Sequence, residues 1–438
     1  MRGARLRGRT FASLRHRNFR LYYASHAVGF AGRWMQQIAA YWLVLTLTGS
    51  AVAVGALAFV QLLPVTLFGL AAGSVIDRFD LRRTIVVCES LMAVLAGLLA
   101  ALTLSGVVTV EMVYVVIGVQ GLAAVVGNPA RHALVYRIVG PEDLTNAVAL
   151  SSGLGTMARV AGPALGGLVV AVAGTGVAFA VNAVSYVAII AAVLAMRVSE
   201  LVSTGAAQSR IGILSGTRDA LAFAFGSRRV TVAFFAVLVV STASFNFDVL
   251  FPLLAATTLG AGAATFGLIA AIFGAGALCG ALILATIGKA RLRLVLLGAG
   301  GFGALELALA PQGSLAVVCA LLVPLGTFYV LWGSSALASL QLAAPPHLRG
   351  RAVSLYFFAF QGGAPLGGLL AGWLTTVGGT RLAFTVAGTV AVTAAIVGAL
   401  TLRGSRSPRA QPSEVPSSAT TSAAASTARS ISSPPTSR

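Results

Sequence analysis

Long apolar runs joined by short polar stretches fill almost the whole chain. Twelve runs lie at about 19–47, 51–76, 84–105, 109–128, 146–172, 177–196, 229–256, 265–287, 294–311, 314–343, 351–376 and 380–402. Most reach the roughly 20 residues that carry a helix across a hydrocarbon core about 30 Å thick, and the ninth is short. The pattern predicts an all-α integral membrane protein with twelve transmembrane helices. The run from about 177 lies too deep in the chain for a signal peptide, and no cleavage-like segment follows the basic start. The longest internal polar segment, 197–228, falls midway and holds a mildly amphipathic stretch, Ile211–Phe225, suited to a membrane surface.

The same text recurs on either side of that segment. Pro141-Glu142-Asp143-Leu144 precedes Gly162-Pro163-Ala164-Leu165-Gly166-Gly167, and Pro345-Pro346-His347-Leu348 precedes Gly363-Ala364-Pro365-Leu366-Gly367-Gly368, an offset of about 200 residues. Two related halves follow: a six-helix bundle at 19–196 and another at 229–402. A basic N-terminus (1–18), a cytoplasmic linker (197–228) and a tail (403–438) flank and join them. The tail is rich in Ser, Thr, Ala and Pro, cannot bury a core, and is expected to be disordered. Gly-x-x-x-Gly pairs sit in spans two, five, eight and eleven: Gly69/Gly73, Gly162/Gly166, Gly276/Gly280 and Gly363/Gly367, with Gly368/Gly372 also on the eleventh. Glycines four apart share a helix face and let two backbones approach. Their return every third span fits the internal repeats of secondary transporters.

Composition excludes a soluble domain. The chain is 58% hydrophobic and 9% charged, with mean hydropathy +0.92. A net charge of +19 would suggest nucleic acid in a soluble protein. Here 27 of the 30 basic residues fall in segments on one side of the predicted membrane. Arg381 lies on the other side, and Arg33 and Arg159 lie within spans. The positive-inside rule then predicts a multi-pass protein of the plasma membrane with both termini in the cytoplasm. A single lysine, Lys289, beside abundant Arg, Ala and Gly suggests a GC-rich bacterial genome. Cys88, Cys279 and Cys319 all sit within spans, as small packing residues, and no pair has metal-ligand spacing. No Gly-x-x-x-x-Gly-Lys-Ser/Thr loop is present, so neither ATP nor another cofactor is expected and the proton gradient is the expected energy source.

Gly73-Ser74-Val75-Ile76-Asp77-Arg78-Phe79-Asp80-Leu81-Arg82-Arg83, between spans two and three, resembles the G-x-x-x-D-R-x-G-R-R/K signature of the major facilitator superfamily. Asp80 replaces its glycine. Gly162-Pro163-x-x-Gly166-Gly167 resembles the antiporter motif of that superfamily, with Ala149 and Ala158 at two upstream glycine positions. Gln120-Gly121 matches half of its span-four motif, and Ile117 stands where that motif has arginine. Gly32-Arg33-Trp34-Met35-Gln36-Gln37, Asn128-Pro129-Ala130-Arg131 and Leu348-Arg349-Gly350-Arg351 are similar to runs in the branch of enterobactin-exporter-like and macrolide-efflux-like proteins. The resemblance implies the major facilitator fold, two pseudo-symmetric six-helix bundles rocking about a central site. It also implies a cytoplasmic gate of Gly73, Asp77, Arg78, Arg82, Arg83 and Arg131, in which Asp77 with Arg78 and Arg131 latches that side near the N-terminus of span eleven. Gly162, Pro163, Gly166 and Gly167, with Gly69, Gly276, Gly280, Gly363 and Gly367, are expected to pack helices.

Charges inside the spans point to the cavity. A central charge costs about 2.5–3.5 kcal/mol to insert, so Arg33 and Arg159 should face a cavity or a partner. Glu89 and Glu306 lie near span ends, within reach of headgroups; Asp248 is deeper. A carboxylate out of water trades a proton near neutral pH, and an adjacent guanidinium favours its ionised form. Asp248 paired with Arg33 or Arg159 across the halves is therefore the expected proton switch, with Glu306 in reserve. Gln36, Gln37, Tyr41, Asn246 and Trp332 are expected to line a substrate cavity. The function expected is efflux of an amphipathic small molecule, such as a drug, macrolide-like compound or siderophore, by proton antiport. The expected partners are that substrate, protons and membrane lipids, without nucleic acid. A monomer suffices because each half already has its partner. An uptake or uncoupled carrier and a non-transporting sensor are the alternatives, and no nucleophile or metal cluster supports a lipid-modifying enzyme.

Overall fold

A computed structural model describes residues 11–76, 79–202, 222, 224–287, 291–345 and 349–403; for 70–76, 349–351 and 403 it describes the backbone alone. Among these residues the regular structure is helical. The first half runs α1 (Arg17–Thr48), α2 (Ala51–Ile76), α3 (Leu81–Leu104), α4 (110–139), α5 (141–173) and α6 (175–194). The second runs α7 (Arg228–Thr258), α8 (Ala263–Ile287), α9 (Leu292–Leu309), α10 (Leu315–Ala343), α11 (349–377) and α12 (380–403).

Three corners are made by glycine alone. A straight helix over residues 110–194, 85 residues, would be about 130 Å long, several times the membrane. Gly140 (φ 70°) and Gly174 (φ 84°) turn it back twice, and Gly379 (φ 68°) turns α11 into α12. These left-handed values are open to glycine at little cost. Twelve spans bring the first and last helix ends to one face, here the terminal face; the other is the far face.

Expected span seven is interrupted. α7 breaks at Ser244–Asn246, and Leu254–Thr258 forms a π turn. Pro252 supplies no backbone donor and so favours the irregular turn after it. Ser244 Oγ donates to the Ala387 carbonyl (2.8 Å) and Asn246 Nδ2 to the Thr242 carbonyl (2.9 Å), which satisfies polar groups at the break.

Glycines set the contacts within and between halves with the same plan. Gly162 abuts Trp34 of α1, and Gly363 abuts Thr242 of α7, each inside its own half. Gly167 and Gly368 point across. A Cβ on Gly167 would stand 2.7 Å from Gly267 of α8, and one on Gly368 2.8 Å from Ala58 of α2. Gly55 lies against the Gly368 carbonyl and Gly372 against that of Ala51. All these crossings lie in the far half of the membrane. Gly276 and Gly280 instead pack against α10, at Val323 and Thr327. Among the described residues Gly69 meets only Val65 of its own helix within 4 Å, and α2 meets the second half through Ala51, Gly55 and Ala58.

The N-terminal turn Ala12–Arg15 docks at the α4–α5 corner. Ser13 Oγ bonds Asn146 Oδ1 (2.8 Å) and His16 Nε2 meets Asp143 Oδ2 (2.9 Å). The bond from His16 holds the Asp143 carboxyl below the usual carboxylate range, with a smaller contribution from Arg15.

Candidate functional site: a polar cleft between the halves

Asp248, just past the break in α7, is enclosed by protein yet open to solvent. Arg159, midway along α5, is also exposed. Both sit at mid-depth between the halves, so a water-accessible cleft reaches them. Glycine contacts close its far side, and the cleft opens toward the terminal face. Gln37 of α1 lies within hydrogen-bonding reach of the Asp248 carboxylate, and Arg159 is the cation acting on it. Arg159 NH1 also donates to Tyr329 Oη of α10 (3.1 Å). Two first-half side chains, Gln37 and Arg159, thus meet two second-half ones, Asp248 and Tyr329.

Aromatic rings wall the second-half side. Phe245 stacks on Tyr329 at 4.7 Å between centroids with planes 5° apart. Phe360 lies 5.3 Å from Phe245, and Trp332 lies 5.8 Å from Phe360. Phe245 and Phe360 are half-buried, with Tyr329 and Trp332 behind them. A flat apolar wall beside a carboxylate and a guanidinium suits an amphipathic guest.

Other expected members lie elsewhere. Gln36 (8% exposed), Tyr41 (1%), Asn246 (5%) and Trp332 (0%) are buried inside their own halves and do not line the cleft. Gln36 belongs to a polar ladder: its Nε2 donates to Gln120 Oε1 (2.6 Å), and Asn182 Nδ2 donates to its Oε1 (2.6 Å). Tyr41 Oη bonds Gln61 Oε1 (3.0 Å). Gln36 and Tyr41 thus find partners on neighbouring helices, which is how polar side chains are satisfied in lipid. Of the five, Gln37 reaches the cleft.

Arg33 does not meet Asp248. It lies over the Phe30 ring, 4.6 Å from its centroid, amid Arg131, Glu89, Tyr22 and Tyr186. Glu89 does not reach headgroups: it is fully buried and ion-paired with Arg131, which also donates to Asn128. Glu306 is likewise fully buried, beside Ser244, and both its oxygens lack a hydrogen-bond partner within ordinary distance and angle. Helix α9 turns this acid into the bundle rather than toward the surface. Sequence position gives depth along a span but not the direction a side chain faces, and the error in both acids has that origin.

No cluster of three or more His, Cys, Asp or Glu placed to hold a metal occurs among the described residues. The sequence matches the transmembrane secretion effector family over residues 8–426. The chain belongs to this family of major facilitator transporters. The transporter is 23% identical to macrolide efflux protein A of Streptococcus pyogenes over 80% of its own length and 87% of that protein's. It is 27% identical to the multidrug efflux pump Tap of Mycobacterium tuberculosis over 81% and 86%. It is 28% identical to the staphyloferrin A transporter of Staphylococcus aureus over 38% of the chain, a match spanning 42% of that relative. The nucleoside transporter NupG superposes with TM-score 0.69 at 14% identity, covering 88% of this chain and 99% of that one, and shows the shared fold. The protein is therefore a multi-pass bacterial membrane transporter of small molecules, not an enzyme.

The transporter's expected gate is described in part. Asp77 and Arg78, and the side chain at Gly73, lie outside the described residues. Arg82 caps the end of α6, donating to the carbonyls of Val193 (2.9 Å) and Leu194 (2.6 Å). Asp80, where the signature has glycine, caps α3 by accepting from the Arg83 backbone N–H (2.9 Å). Arg131 is engaged by Glu89 and Asn128, and the latch expected of it with Asp77 and Arg78 lies outside the described residues.

Proposed function

We propose that this transporter exports an amphipathic small molecule in exchange for protons, with Asp248 as the residue that couples the two. The observation that carries the reading is the position of Asp248 in the open cleft, facing Gln37 and Arg159 of the opposite half. With Asp248 ionised, its attraction to Arg159 ties the halves at the cleft. The substrate, taken from the terminal face, binds the ionised carboxylate together with Tyr329 and the Phe245 ring. A proton taken from the far side neutralises the carboxylate and so releases the substrate there, and Gln37 holds the neutral acid on the return.

The distribution of basic residues supports a cytoplasmic terminal face, from which the described conformation would receive substrate. Rocking of the halves about the cleft then exposes it to the other face. The two relatives matched over most of their length are efflux pumps by name, which supports outward transport. Macrolide-like and siderophore-like molecules are the substrate classes to try first.

Uptake into everted membrane vesicles, acidic inside, tests this directly, with Asp248→Asn beside the wild type. We expect gradient-driven accumulation in the wild type and its collapse to the leak level in Asp248→Asn. Accumulation that survives in the variant removes Asp248 from coupling. Accumulation that needs no gradient in the wild type overturns antiport.

A further inference from the structure

The second half carries a groove between α7 and α12, outside the cleft. It encloses about 500 Å³, within the range of small-ligand sites. Val232, Phe235 and Val239 wall it on α7, and Val390, Val397 and Gly398 on α12. Phe235, Val239 and Val397 are exposed. Threonines also line it, but Thr231, Thr389 and Thr401 give their hydroxyls to nearby carbonyls at 2.9, 2.7 and 2.8 Å. Their hydrogen-bonding capacity is spent locally, and the lining behaves as hydrocarbon. At Gly398, α12 lies so close to α9 and α7 that a Cβ would stand 2.7 Å from Leu296 and 3.3 Å from Val232, which closes the floor.

The terminal-face end of the groove differs in charge. Arg228, Val232, Phe235 and Val239 recur at helical spacing, so one face of α7 carries all four. Arg228 stands one turn below the apolar wall, where the helix leaves the membrane, and Arg229 is beside it. Both are exposed, and among the described residues neither is in an ion pair. Ser227 caps this helix end, and the first turn's partial positive charge adds to theirs. A hydrocarbon slot ending in two cations at headgroup depth is complementary to a lipid with an anionic head.

We propose that the α7–α12 groove binds one anionic glycerophospholipid, with an acyl chain against Phe235 and Val239 and the phosphate on Arg228 and Arg229. The site is independent of substrate, direction and coupling. It braces the segment of α7 below the break at Ser244–Asn246, the same helix that carries Asp248.

The test uses the full-length protein in detergent, titrated with phosphatidylglycerol or phosphatidylcholine of identical acyl chains and read by native mass spectrometry. One phosphatidylglycerol should be retained about twenty-five-fold more tightly than phosphatidylcholine, the product of roughly fivefold for each arginine. The double variant Arg228→Gln, Arg229→Gln should lose that preference, and Val397→Trp should reduce binding of both lipids. Equal retention of the two lipids by the wild type, which means annular lipid only, overturns the site. So does a preference that persists in the arginine variant. Should a variant fail to fold, a photoactivatable phosphatidylglycerol on the wild type gives the second measurement: label on α7 and α12 peptides supports the site, and label confined to other helices overturns it.

Discussion

Glu89 and Arg131 carry a charge balance that the first half depends on. Arg33, Arg131 and Glu89 lie together inside it, two cations to one acid. The paired glutamate offsets the cost of burying both arginines, and Glu89 Oε2 and Arg33 NH1 are left without partners. Removing one member of a buried pair typically costs about 3–5 kcal/mol, whereas removing both costs less. Glu89→Gln should therefore lower the thermal midpoint of the purified protein sharply, and Glu89→Gln with Arg131→Gln should recover part of the loss. A double variant no more stable than the worse single one would show that the charges act independently. Asp248 differs from Glu89 and Glu306 in one respect that matters for exchange: solvent reaches it. The acids within the spans could be counted from the chain, and Asp248 stands out there by depth and by the proline four residues on. The pairing of Glu89 with Arg131 had no such signal, since residues 42 apart on separate helices show no pattern in one sequence. Aromatic density did leave a trace, in Phe245, Phe247, Phe251, Phe273, Phe302 and Phe360, but apolar rings in apolar spans do not announce which of them face a cleft.

Helices α5 and α11 each carry adjacent glycines with different duties. Gly166 and Gly167 are one residue, about 100° of turn, apart; the first packs on Met35 and Ile38 of its own half and the second on Gly267 of the other. Gly367 and Gly368 repeat the arrangement. A bulky side chain should thus have two distinct effects. Gly162→Leu meets Trp34 inside the first half and should lower stability, by about 1–3 kcal/mol as an overpacked core does. Gly167→Leu or Gly368→Leu meets the opposite half and should leave each bundle folded while it disfavours far-side closure. Distances between spin labels on the far ends of α2 and α11 separate the cases: they should lengthen in Gly167→Leu and Gly368→Leu and not in Gly162→Leu. The recurrence of glycine was legible in the sequence. Which glycine faces which bundle was not, because a four-residue spacing fixes a shared face without naming the neighbour, and Gly69 shows the limit of the inference. The break in α7 was hidden for a related reason: Ser244 and Asn246 sit in an apolar run long enough to cross without interruption.

At the scale of the whole molecule, the two halves match in backbone plan and differ in chemistry. The first half supplies buried arginines and an amide ladder; the second supplies aromatic rings, the solvent-reached Asp248 and the buried Glu306. Contact between them at the far side is made by small residues on α2, α5, α8 and α11, with Trp42 stacked on Phe266, an apolar surface able to part without stranding buried polar groups. Pinning it should stop the cycle. In a background with Cys88, Cys279 and Cys319 replaced, Ala51→Cys with Gly372→Cys sets two thiols where α2 and α11 touch, with a local shift of the Ala51 carbonyl to admit the new Cβ. Oxidation should abolish transport and reduction should restore it; full transport by the cross-linked form would mean that this seam never opens. Twelve spans, the two halves and their repeat were readable because hydrocarbon imposes length and apolarity on every crossing. Relative rotation of the helices was not, since lipid-facing and protein-facing positions in these spans are alike in composition.

Corners at Gly174 and Gly378–Gly379 have a further consequence for the surface. The connections there, with those at 49–50, 105–109, 259–262 and 310–314, contain no more than five residues each. If the termini are cytoplasmic, the side turned to the outside world is nearly flush with the headgroups. Antibodies, phage and proteases would find little relief to grip, and an epitope tag would have to be built into a corner whose glycine geometry tolerates almost nothing else.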